Sequence, residues 1–198
     1  MADAQMGQLS EKSAVRAAAL AARRALDAQR RAEADQALAD RTVTLLRARG
    51  ITVVAAYVPM TGEPGGLALL PALAAGAELV LLPVREPDGD LDWAPYAGPA
   101  MLTPTRPSEP TTPRLGRDAI RRAGLVLVPA VAVDRTGMRL GRGGGSYDRA
   151  LPRVDPTVPV LALLYDGEVA EHVPAQAHDR PVRGVLTPTG ELWFGPAP

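Results

Sequence analysis

Apolar positions recur along this chain with two periods, and the switches between them outline the elements. Ser10 followed by Glu11 reads as a helix start, and Ala-rich sequence continues to about Arg31. At about 100° per residue, Val15, Ala19, Ala22 and Leu26 fall on one stripe, the buried one. Lys12, Arg16, Arg23 and Arg30 form a second stripe beside it, so the basic row borders the core. That row is either a solvated face whose stems lie over apolar neighbours, or one whose first turns, Lys12 and Arg16, reach a phosphate chain. Residues 1–9 read as frayed. A second helix is expected over Ala32 to Arg47, stopping near Gly50.

The pattern then shortens. Ile51 to Val58 is β-branched and brief, a buried strand. The loop after it, Pro59 to Glu63, lies where open α/β sheets place ligands, at the carboxyl end of a strand. Glu63 is therefore a candidate contact for a donor-rich ligand, or else an acid favoured at the N-terminus of the next helix. A third helix is expected over Gly65 to Ala75 and a strand over Glu78 to Val84. From Arg85 to Arg117 the pattern dissolves into a proline-rich excursion with one alternating piece, Leu91 to Tyr96, that suits an edge strand. Trp93 and Tyr96 favour a loop covering a flat ligand, with satellite-core packing the alternative. After a short helix, Leu115 to Arg122, the long apolar run Leu125 to Val133 reads as the central strand. Val158 to Leu164 is a further strand, and a final pair lies around Val182 to Phe194.

Behind the central strand comes the segment with most chemistry, Asp134 to Leu151. It holds Gly143, Gly144 and Gly145 in a row, flanked by Arg139, Arg142 and Arg149, and leads into a short helix over Tyr147 to Leu151. Consecutive glycines free the main chain to present its N–H groups, which with a helix behind them suit phosphate. Guanidinium forks match phosphate oxygens two at a time. Asp148 stands one turn inside the helix, able to accept a proton or hold a divalent cation. Glycine-rich strand-to-helix turns also arise without any ligand. The segment is no Walker A loop, since no Lys-Ser/Thr pair follows Gly145, and its spacing is not the dinucleotide fingerprint.

Composition narrows these readings. The 198 residues suit one domain, and a formal charge of zero gives no general attraction to nucleic acid or anionic membrane. Any basic site must be local. The absence of cysteine excludes disulfides, thiolate metal sites and a cysteine nucleophile. No apolar run is long enough for a membrane span and no signal peptide is visible, so a cytoplasmic protein is expected, without membrane or nucleic-acid partners. Lys12 is the only lysine among 22 basic residues, which hints at a place where a compact ammonium is needed. His172 and His178 with Asp179 do not have the spacing of a zinc site.

Taken together, the Lys12/Arg16 helix, the strand ending YVPMTGE, the Ser108-Glu109-Pro110 piece and VPAVAVDRTGMRLGRGGGSYDRAL resemble the 5-formyltetrahydrofolate cyclo-ligase family over about residues 10–187. The specific part is D-x-x-G-x-R-L-G-x-G-x-G-x-Y-D-R. The resemblance implies a three-layer α/β/α fold with a mostly parallel central sheet, of the type shared with ribose-phosphate isomerases and CoA transferases. It implies ATP- and Mg²⁺-dependent conversion of 5-formyltetrahydrofolate to 5,10-methenyltetrahydrofolate by a monomer acting on small molecules. By position it implies ATP binding at Lys12, Arg16, Arg139, Leu140, Gly141, Arg142, Gly143, Gly144, Gly145, Ser146 and Tyr147. Val58, Glu63, Arg142 and Ser146 would contact the folate, Arg142 would be catalytic, and Asp148 with Asp179 would hold the metal. Many members have G-K-G-Y-Y where this chain has Gly143 to Tyr147, so the loop lysine and the first tyrosine are replaced by Gly144 and Ser146. Some members place a second metal-proximal Asp where Arg183 stands, and Asp179 is the nearest substitute. Two competing readings are a non-catalytic nucleotide- or folate-binding relative and a sugar-phosphate isomerase with Glu63 as base.

Overall fold

A computed structural model describes residues 2–176 and 179–194. Two long helices open the chain, α1 (Ala2–Ala25) and α2 (Ala28–Ala48). Helix α1 thus begins before Ser10 and ends before Arg31. The break falls at Asp27, whose extended backbone and carboxylate, accepting from the Arg30 amide at 2.9 Å, cap α2 instead. Gly50, at φ 60°, follows α2 in the left-handed conformation expected after a helix C-terminus.

Strands β1 (Val53–Ala55), β2 (Leu79–Arg85), β4 (Leu125–Pro129), β7 (Val160–Leu163) and β9 (Gly184–Leu186) form the parallel part of the main sheet. Antiparallel β3 (Leu91–Pro95) and β10 (Glu191–Trp193) close its edges, giving the order β10-β9-β7-β4-β1-β2-β3. Each parallel strand is buried on both faces, which is why the sequence shows runs of Val and Leu without polar alternation. Alternate side chains separate the two cores. Val54, Leu82, Leu125, Leu127 and Leu161 pack with Leu38 and Leu46 of α2 and with α3 (Leu69–Gly76). Ala55, Leu81, Val126, Val128 and Ala162 face Trp93, Ile120 and Leu151 on the other side. The second covering layer is made of the short helix α4 (Ser146–Ala150) and 3₁₀ segments at Arg117–Arg122 and Leu151–Arg153. The architecture is three-layer α/β/α with a mostly parallel sheet, as the resemblance implied.

Three local expectations need correction. The run Leu125 to Val133 is not one strand: it breaks after Pro129, and β5 (Ala132–Asp134) starts a second sheet with β6 (Arg139–Leu140) and β8 (Val169–Ala170). Helix α3 starts at Leu69 rather than Gly65, because Gly65 and Gly66 stand at φ 93° and 43°, outside the right-handed helix. The proline-rich excursion is ordered, with the β2–β3 hairpin, a Leu102–Pro110 bridge and a cis Arg106–Pro107 peptide. Within it Trp93 is fully buried in the main core, so it fills space between layers and does not cover a ligand. Tyr96 packs beside the opposite core.

Helix α1 lies across the small second sheet. Val15, Ala19 and Leu20 pack on Val131, Ala132 and Leu140. Ala22, expected on this stripe, is exposed; Arg23 takes the buried place instead, 3% accessible. Its guanidinium holds Glu168 through two bonds of 2.6 and 2.8 Å and donates to the Ala130 carbonyl at 2.7 Å. A paired charge can be buried where an unpaired one could not.

Candidate functional site

Where β1 and β4 end, the chain leaves the main sheet to either side and a cavity of about 350 Å³ opens. Every residue assigned to ligand by the resemblance lines it, from Lys12 and Arg16 through Val58, Glu63 and Arg139–Asp148 to Asp179. The one cavity therefore collects groups up to 167 positions apart, a separation set by the Lys12–Asp179 pair.

The glycine segment forms one wall. Gly143 at φ 100° and Gly145 at φ 65° take conformations that favour glycine, and Gly145 precedes α4. Since α4 has only five residues, the wall offers local N–H donors more than a helix macrodipole. Arg16 donates from Nε to the Gly141 carbonyl at 3.0 Å, fixing this wall to α1. The two readings of the basic stripe thus divide along the helix. Lys12, Arg16 and Arg23 turn inward, while Arg30 stays exposed beside Asp27.

Three of the cavity's cations are held by carboxylates. Lys12 Nζ meets Asp179 Oδ2, Arg139 meets Asp148 Oδ1, and Arg142 Nε meets Glu63 Oε1, each at 2.7 Å. Asp148 Oδ1 also accepts the Arg180 amide at 3.0 Å, and Asp179 Oδ2 the Gln176 amide at 2.8 Å. Glu63 is 4% exposed and accepts the Met60 amide on its other oxygen at 2.9 Å. It lies six residues before α3, so the alternative of an acid at that helix's N-terminus does not apply.

Among the residues lining the cavity, two buried donors lack partners: Arg139 Nε and the Tyr147 hydroxyl. Burial, and then the charge of Glu63, push the Tyr147 phenol above its ordinary value, which keeps it a neutral donor. Unpaired buried donors are costly, and here both belong to residues on the wall of the cavity. Oxygen donors from Asp148 and Asp179 suit a hard divalent cation, which binds through one or two carboxylates plus substrate phosphates. No described hydrogen bond falls on Asp148 Oδ2. Among the described residues no three His, Cys, Asp or Glu side chains gather as a metal cluster; His178 lies outside the described residues.

Several assignments shift in detail. The Leu140 side chain is 2% exposed in the small core and its carbonyl accepts the Val131 amide, so only its position in β6 serves the cavity. Arg149, counted with the phosphate-binding arginines, braces the loop from outside, donating to Gly144 and Gly89 carbonyls at 3.2 and 3.4 Å. Tyr57, Arg85, Ser108, Glu109 and Gln176 also line the cavity. Arg85 was legible in principle, since it ends the parallel strand next to β1. Nothing near Gln176 marks it.

A mostly parallel sheet covered on both faces, with an Arg- and Gly-lined cleft at the carboxyl ends of its central strands, defines the class, an α/β/α protein with its site at the strand ends. The chain belongs to the 5-formyltetrahydrofolate cyclo-ligase family, whose sequence model matches residues 8–188. It is therefore a ligase. It is 43% identical over 141 residues to the 5-formyltetrahydrofolate cyclo-ligase of Mycolicibacterium smegmatis, covering 68% of this chain and 73% of that one. To the Escherichia coli protein of the same name it is 32% identical over 178 residues, 86% and 96% of the two chains. The solved 5,10-methenyltetrahydrofolate synthetase of Aquifex aeolicus superposes with a TM-score of 0.74 at 27% identity, covering 94% of each chain. The corresponding protein of Mycoplasma pneumoniae gives 0.72 at 20% identity over 89% of this chain and 98% of its own, a likeness of fold. No helix among the described residues is long and apolar enough to cross a membrane.

Proposed function

We propose that this protein closes 5-formyltetrahydrofolate to 5,10-methenyltetrahydrofolate at the expense of ATP, with Mg²⁺. The observation that carries the reading is the convergence of Lys12, Arg16, Glu63, Arg139–Asp148 and Asp179 on one cavity. A formyl oxygen on an amide-like nitrogen is a poor leaving group. In the proposed reaction it attacks the γ-phosphorus of ATP, ADP departs, and the oxygen becomes part of a phosphate ester. The N10 nitrogen then bonds to the formyl carbon, its proton is lost, and the C–O bond breaks to release inorganic phosphate. Such transfers ask the protein mainly for position and charge stabilisation.

This chain supplies both. Lys12, Arg16, Arg139 and the Gly141–Gly145 main chain are placed to hold the triphosphate, with the unpaired Arg139 Nε and Tyr147 hydroxyl as ready donors. Asp148 and Asp179 would hold the metal, whose contribution is to offset phosphate charge. Glu63, fixed by the Met60 amide, accepts from the pterin's N–H groups, with Val58 beside it. Arg142 would serve both ligands: it is 44% exposed at the side chain and held by Glu63, so it can turn to the transferring phosphoryl group.

The test is direct. Protein mixed with 5-formyltetrahydrofolate, Mg²⁺ and ATP should develop methenyl absorbance, and omission of ATP or Mg²⁺ should abolish it. No product with all three present, or equal product without ATP, would refute the proposal.

A further inference from the structure

Arginines stand both in the main cavity and beside it. Those around the glycine wall already have protein partners, whereas Arg106 makes no ion pair among the described residues; its only side-chain bond is a long one, 3.5 Å, to the Thr61 hydroxyl. It lines a second cavity of about 160 Å³ that shares Val58, Met60 and Ser108 with the first, so this annex adjoins the side where Glu63 sits. The loop presenting it is cross-braced. Thr103 N donates to the Glu109 carbonyl at 2.8 Å, Glu109 N to the Thr103 hydroxyl at 2.9 Å, and Ser108 Oγ to the Thr105 carbonyl at 3.0 Å. An unpaired guanidinium on a braced loop, beside a cleft with its own annex, is poised for an anion outside the phosphate cradle.

Given the cyclo-ligase reading on which this rests, the substrate has one such anion. A reduced folate carries glutamate carboxylates at the end opposite its pterin ring. We propose that Arg106, with the Thr61 hydroxyl beside it, forms the subsite for those carboxylates and makes the protein discriminate tailed from tail-less pterins. A planar fork accepts a carboxylate through two parallel bonds, which a lysine cannot reproduce.

The experiment compares affinities by calorimetry for 5-formyltetrahydrofolate and for its tail-less pteroyl amide analogue, in which a neutral carboxamide ends the molecule, with wild type, Arg106→Ala and Arg106→Lys. Expected is a loss of about five-fold in Arg106→Ala for the tailed ligand, the size of a partly exposed charge pair, no loss for the tail-less one, and partial recovery in Arg106→Lys. Affinity for ATP should be unchanged in all three. Equal losses for both ligands, no loss for either, or failure of wild type to bind the tailed ligand would overturn the subsite. Turnover with ATP, followed separately in the same preparations, judges the cyclo-ligase reading: wild type that binds the tailed ligand through Arg106 without converting it leaves the subsite standing and removes the chemistry.

Discussion

At the scale of single residues, the cavity is defined by side chains with two partners to choose between. Arg142 is the clearest case, bonded to Glu63 yet open to solvent over nearly half its surface. A group that stabilises charge only as phosphoryl transfer proceeds affects turnover far more than ground-state binding. Arg142→Ala should therefore lower kcat by about a hundred-fold or more while changing ATP affinity by less than about ten-fold, as steady-state kinetics and nucleotide titration would read; near-normal turnover would remove Arg142 from the reaction. Asp134 has the opposite character, since all its bonding is internal. Burial alone would push its carboxyl up, but the Thr136 hydroxyl and the Val173, Thr136 and Met138 amides outweigh that and hold it below its ordinary value. A depressed carboxyl stabilises the fold at pH values above about 4, its unfolded value, and loses that contribution as pH falls through the lower folded one. Urea midpoints of wild type and Asp134→Asn should accordingly differ most at neutral pH and converge below about pH 4; a gap that persists undiminished in acid would contradict this.

At the scale of elements, helix α1 is held by polar anchors as much as by apolar contact. Arg23 is its deepest attachment, and its ring of partners extends to Tyr165, whose face lies 5.8 Å from the guanidinium carbon. Truncating one member of a buried pair leaves the other charged and unpaired. Arg23→Ala should cost about 3 kcal/mol in denaturant unfolding, while Arg24→Ala, on the exposed side, should change stability by less than about 0.5 kcal/mol. Equal effects would mean that α1 is not anchored through Arg23.

What the sequence discloses about elements follows from where each signal originates. The buried parallel strands announce themselves because both faces must be apolar, and the glycine segment does so because a bare, positive-φ main chain leaves few residue choices. The inward turn of Arg23 is invisible in periodicity, for its burial depends on Glu168, which is 145 positions away. The break of the Leu125–Val133 run at Pro129 is likewise hidden, since both resulting strands are apolar. Leu140 and Val58 could be placed at the site by resemblance, but which face of Leu140 met the core required the pairing of β6 with β5. Trp93 illustrates a general ambiguity, because a large aromatic in a loop-like stretch serves a ligand and a core equally well until the hairpin is seen.

At the scale of the whole molecule, the parallel sheet sets the site's position and the ends of the chain complete it. Strands β1 and β4 are central and adjacent, and the loops after them supply Glu63 and, through the small sheet, the glycine wall. The remaining wall is brought by α1 and by Gln176 and Asp179, from opposite ends of the sequence. The salt bridge from Lys12 to Asp179 closes a loop of 167 residues, and a contact so remote forms only after the intervening strands have found their neighbours. The cavity is thereby tied to completion of the polypeptide: a chain still emerging, or one arrested with its sheet built but its first helix undocked, lacks the wall that Lys12, Arg16, Gln176 and Asp179 supply, and on the proposed function it would lack nucleotide affinity too. In refolding from denaturant, the fluorescence of Trp93 and Trp193, both in the main sheet, should recover before ATP binding does; simultaneous recovery would show that the cleft is assembled with the core and not after it.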